Sequence, residues 1–148
     1  MIQRIQTLFF TIALILAALP LLGISLFSIT LNQSEIAIDA YKVNGTLAAE
    51  NHNFWILLLA GIVLILLTIF SFKNRKSQIK LAWSSFVLLF VLSAWIFVSV
   101  YFNPIFADAK KSLGIGIIAL FLALPFIYLG IRSVKKDQAL IDSLNRLR

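Results

Sequence analysis

The sequence predicts an all-α membrane protein: a four-helix transmembrane antiparallel bundle with a small extracytoplasmic β-hairpin and a C-terminal amphipathic helix. Three observations predict it. The 148 residues are 61% apolar and 13% charged, whereas soluble domains run about 45–50% apolar and about 25% charged. Four apolar runs, at about 7–29, 54–72, 81–102 and 113–131, match the roughly 20 residues that carry a helix across a bilayer. The cations are unevenly placed between those runs. Arg4, Lys73, Arg75, Lys76, Lys80, Arg132, Lys135, Lys136, Arg146 and Arg148 fall on one side, against Lys42, Lys110 and Lys111 on the other. Basic loops resist translocation, so the joint 73–80, Arg4 and the tail 132–148 are expected on the cytoplasmic side of the membrane.

The elements follow in order. Residues 1–6 mix Ile2 and Ile5 with Gln3, Arg4 and Gln6, as an interfacial turn does before a span. The first run, 7–29, also fits a signal peptide in outline, but it is long for one. Pro20 and Gly23 in its second half predict a kink or an early helix end. The loop 30–53 carries Glu35, Asp39 and Glu50 against Lys42 alone, and is expected outside. Within it, Glu35-Ile36-Ala37-Ile38-Asp39 alternates as a half-buried strand. Asn44-Gly45 is a hairpin-turn signal, because both residues accept positive φ. The expected hairpin therefore folds about Asn44-Gly45, and its edge could take a partner strand.

The second run opens with Phe54-Trp55, an aromatic pair suited to headgroup depth. The third holds Trp83 near one end and Tyr101 near the other, with Ser84, Ser85, Ser93 and Ser99 between. Asn103-Pro104 stops it. The fourth run begins Gly114-Ile115-Gly116, which predicts close backbone packing. Ala119 and Ala123 keep small-xxx-small spacing, and Pro125 predicts a kink. In the tail, Leu140, Ile141, Leu144 and Leu147 share a helical face opposite basic residues, as in a helix lying on a membrane or a partner.

The opening Met1-Ile2-Gln3-Arg4-Ile5-Gln6-Thr7, the joint from Lys73 through Lys80 to Leu81, and the tail pieces Lys135-Lys136-Asp137 and Leu144–Arg148 belong together. As a set they resemble a family of small four-span inner-membrane proteins of unknown function from Bacteroidota. The resemblance spans the chain and implies the same topology and membrane; it implies no activity, ligand or catalytic residue. The layout is also similar to claudin-like bundles, without their first-loop tryptophan and cysteine signature.

Charge location weighs against nucleic acid as the partner of the +7 net charge, because the cations flank apolar runs. With no cysteine, thiolate metal sites and disulfides are excluded. No ionisable residue falls in the middle of a run, where pumps and proton-coupled carriers place one. His52 has no second ligand in its pattern. Glu35, Asp39 and Glu50 have no spacing that enforces acid–base pairing, and no serine sits in a nucleophile-elbow context. No enzyme activity, cofactor or metal is expected. The expected function is a non-catalytic accessory subunit of a larger inner-membrane complex. It would touch a membrane assembly or anionic lipid through Lys73, Arg75, Lys76, Lys80, Lys135, Lys136, Arg146 and Arg148. The alternative is a small homo-oligomeric channel or lipid-handling protein, for which Ser85, Ser93 and Ser99 are the polar stripe.

Overall fold

The first apolar run becomes two different elements. In the computed structural model, which describes residues 3–31, 34–38, 54–102 and 109–146, Gln3–Ala18 form helix α1. A 3-10 turn, Leu19–Leu22, continues it, and Phe27–Leu31 form a strand, β1. The helix expected over 7–29 therefore stops early. Pro20 supplies no N–H to the preceding turn. Gly23 then takes φ 82° and donates its N–H to the Pro20 carbonyl at 3.4 Å, a left-handed closure that glycine enters at little cost. Beyond it Phe27 and Ile29 are buried while Thr30 is exposed, the two-residue period of a strand.

Strand β2, Ser34–Ile38, pairs antiparallel with β1, with Phe27 opposite Ile38 and Ile29 opposite Ile36. The expected strand at 35–39 is thus present, but its partner lies upstream of it. Asn44-Gly45 lies outside the described residues, as do Asp39, Glu50, His52, Asn103-Pro104 and Arg148. A third strand, β3, Lys110–Leu113, lies on the other edge of β1, so the sheet order is β2-β1-β3. Lys110-Lys111-Ser112-Leu113 carries no apolar alternation, so nothing local in the sequence marks it as a strand. Ser28 and Ser112 join across the pair, with hydroxyl oxygens 2.8 Å apart and the Ser112 hydroxyl 3.2 Å from the Ser28 carbonyl.

Gly114 and Gly116 make the close approach that their sequence predicts. Their N–H groups donate to the Leu26 and Ser25 carbonyls at 2.9 and 3.0 Å. A Cβ on Gly116 would lie 2.9 Å from the Ile24 carbonyl oxygen. These contacts fasten the start of helix α4, Ile115–Arg146, to the backbone between α1 and β1.

Helix α2, Phe54–Phe70, is followed by a 3-10 turn, Ser71–Lys73, and then by helix α3, Arg75–Tyr101. The eight-residue loop expected at 73–80 is therefore mostly helix. Asn74 caps α3 by accepting a hydrogen bond from the Ser77 N–H at 3.3 Å. Arg75, Lys76, Gln78 and Lys80 are good helix formers, so charge marked the joint without breaking the helix. The tail is corrected likewise: 132–146 is not a separate helix but the continuation of α4. Its exposed apolar residues include Leu140 and Ile141, while the buried face runs through Ile127, Ile131, Val134 and Asp137.

The helices form a ring in which α1 packs on α2 and α4, and α3 packs on α2 and α4. Neighbours are antiparallel: Phe10 of α1 meets Gly130 of α4, and Trp83 of α3 meets Lys135 of α4. At the sheet end, the Phe27 ring lies 6.4 Å from both Phe97 and Tyr101. The Lys111 ammonium sits 5.3 Å above Tyr101 and 3.0 Å from its carbonyl oxygen. Three stretches, Ile5–Leu22, Arg75–Tyr101 and Ile115–Ser143, are long and apolar enough to cross a membrane; α2, with 17 residues, is apolar but shorter.

Candidate functional site

At the end of the ring opposite the sheet, four helices bring polar side chains inward. Gln6 on α1, Thr68 on α2, Gln78 on α3 and Asp137 on α4 are all buried. The Gln6 amide donates to the Asp137 carboxylate across the α1–α4 seam. The Gln78 amide donates to the Thr68 carbonyl at 3.2 Å, and the Thr68 hydroxyl donates to the Leu64 carbonyl at 2.8 Å. The bond from Gln78 bridges the α2–α3 corner, where a helix ending at Phe70 leaves carbonyls without intrahelical partners.

Between these two ties opens a cleft of about 260 Å³, lined by Gln6, Thr7, Ile69, Phe70, Phe72, Arg75 and Gln78. Among the described residues, that lining contains one cation and no anion. Arg75 opens α3 and is half-buried, and its Nη1 is fully buried without a hydrogen-bond partner. Asp137 Oδ1 is the other buried orphan among the described residues. Both carboxamide nitrogens beside the cleft, on Gln6 and Gln78, are already engaged. Arg75 is thus the one charged side chain that the described residues bring to the cleft, and one nitrogen of its guanidinium has no acceptor among them.

The structure divides the eight cations that the sequence singled out. Arg75 turns inward. Lys76, Lys80, Lys135 and Lys136 are exposed around the same end. Lys135 rests 5.6 Å over the Trp83 ring, which in turn meets Phe86 edge-on at 5.6 Å. Lys73 closes the turn after α2 and Arg146 ends α4. Arg148 lies outside the described residues.

Gln6, Gln78 and Asp137 were missed as a group. Asp137 stands beside Lys135 and Lys136 and looked like part of a solvated tail. A signal was available: continuing the buried spacing Ile127, Ile131, Val134 by three places reaches Asp137. Two of the three serines singled out for a polar stripe are otherwise occupied. Ser85 and Ser93 are buried, and their hydroxyls donate to the Ala82 and Phe90 carbonyls of their own helix at 2.9 Å. Among the described residues, no three His, Cys, Asp or Glu side chains gather as they would around a metal ion.

A family model described as a domain of unknown function (DUF4293) matches residues 2–147. No curated protein and no solved structure matches the chain.

Proposed function

Since the chain belongs to the DUF4293 family, a domain of unknown function, we propose from its own geometry that it is a non-catalytic accessory subunit of a larger assembly in a bacterial inner membrane. Four crossings are proposed, with α2 as the shortest. Its 17 residues rise about 26 Å, close to the hydrocarbon thickness of about 30 Å. The end bearing Arg4, Lys76, Lys80, Lys135 and Lys136 faces the cytoplasm, and the sheet faces outward.

One observation carries this reading. The outward faces of the helices hold large apolar side chains, such as Ile56, Val63, Phe90, Val91 and Trp95, while the polar groups between the helices are mostly tied to one another. That arrangement offers surface to lipid and to neighbouring helices without the convergent groups that chemistry requires. The buried, self-bonded Ser85 and Ser93 favour it over a pore, which needs free polar groups along a path. In lipid, such surfaces associate through packing and hydrogen bonds between helices.

Crosslinking in intact membranes, read by mass spectrometry after purification in mild detergent, tests the proposal. The expected product joins Lys76, Lys80 or Lys136 to a larger integral-membrane protein. Recovery of the monomer alone, under conditions that preserve other membrane complexes in the same sample, would refute the accessory role.

A further inference from the structure

We infer that the cleft between α1, α2 and α3 binds the phosphate of an anionic lipid headgroup, with Arg75 as its charged anchor. The inference rests on the membrane placement proposed above, and it does not require the partner assembly. The first ground is Arg75 itself. Its side chain lines the cleft, and its Nη1 is buried with no acceptor among the described residues, although guanidinium donors removed from water need one. Phosphate oxygens match the planar fork of arginine and can take two parallel N–H donors.

The second ground is the lining. Gln6, Thr7 and Gln78 line the cleft without bringing a carboxylate into it, so no described residue on its wall repels an anion. Asp137 reaches this region only through Gln6, whose amide holds its Oδ2. Lys76 and Lys80 stand exposed on the helix that Arg75 opens, and raise the local concentration of anions.

The third ground separates a lipid from a free phosphate. The remaining wall is Ile69, Phe70 and Phe72, and the two phenylalanines are 72% and 53% exposed. Phe70 ends α2 and Phe72 lies in the turn beyond it, which the proposed membrane placement puts where headgroups meet acyl chains. A cleft with one half-buried cation, walled on one side by exposed rings, suits a molecule with a phosphate at one end and a hydrocarbon chain at the other.

Native mass spectrometry of the full chain in detergent tests this with phosphatidylglycerol, phosphatidylcholine and inorganic phosphate in separate arms. Wild type should retain phosphatidylglycerol about tenfold more than phosphatidylcholine, whose phosphate accepts the same hydrogen bonds but whose choline cation is repelled by the guanidinium. Arg75→Gln should lose that preference, while Lys110→Gln, which removes an exposed cation at the sheet end, should keep it. Equal retention by wild type and Arg75→Gln would overturn the site. A response to inorganic phosphate with no preference between the lipids would overturn the lipid as its occupant. Should Arg75→Gln fail to fold, the thermal melt of wild type decides: a rise with phosphatidylglycerol but not with phosphatidylcholine supports the site, and equal shifts refute it. The partner crosslinks read a different surface, so either proposal can fail while the other stands.

Discussion

Replacing Gly114 by alanine should be among the most damaging single-methyl additions in this chain, and the structure says by how much. The new Cβ would lie 2.8 Å from the carbonyl carbon and oxygen of Leu26, and nearer still to the Ser25 oxygen. Those are backbone atoms, which cannot rotate away as a side-chain tip can. Relief requires the α4 start to move off the 24–26 segment. That movement breaks the hydrogen bonds from Gly114 to Leu26 and from Gly116 to Ser25. Two lost bonds at about 1 kcal/mol each, with overpacking strain of about 1–3 kcal/mol, give a loss of about 3–5 kcal/mol.

Two other glycines calibrate the figure. At Gly61 the added Cβ would meet Leu89 Cδ2 at 2.7 Å, the end of a side chain that can shift, so Gly61→Ala should cost about 1–2 kcal/mol. At Gly23 nothing lies within 4 Å, and only the positive φ resists, at about 1–2 kcal/mol. Equilibrium unfolding in mixed detergent micelles, followed by helical circular dichroism, measures all three. If Gly114→Ala is no less stable than Gly61→Ala, the close approach of α4 to the 24–26 backbone is not what fastens the sheet to the helices.

Two further outcomes follow from the same structure. Gln6 and Asp137 should be energetically coupled: Asp137→Ala leaves a buried amide donor unpaired and should cost about 1–3 kcal/mol, whereas much of that cost should vanish in a Gln6→Leu background. Additive losses in the double-mutant cycle would mean that the two side chains do not meet. Because the chain contains no cysteine, Lys76→Cys gives a single labelling site. An impermeant maleimide should reach it only after the inner face is opened, and labelling in intact spheroplasts would reverse the proposed orientation.

Much of the helical architecture was legible in the sequence. Runs such as Phe54–Phe70 are apolar all round, and no alternative burial suits them. Gly114 and Gly116 announced their close packing, and Pro20 with Gly23 announced the end of α1. The errors concern apolar segments whose local pattern fits two structures. Phe27-Ser28-Ile29-Thr30 could have completed a helix or begun a strand, and pairing with Ser34–Ile38 on one edge and Lys110–Leu113 on the other decided for the strand. The joint 73–80 misled in the opposite sense. Its charge was read as a loop, although Asn74 is a helix cap and the residues after it favour a helix.

The sequence by itself determined the apolar helices and the end of the molecule that is basic, because hydrophobic length and charge are properties of neighbouring residues. Only the tertiary structure decided the order of helices in the ring, the central place of β1 in the sheet, and the inward turn of Gln6, Arg75, Gln78 and Asp137. These outcomes depend on partners far apart along the chain. Gln6 and Asp137 are separated by 131 positions, and neither residue carries a local sign of the other. A carboxylate that resembles a solvated tail charge is buried because a donor waits across the seam, and the chain must close before that donor is in place.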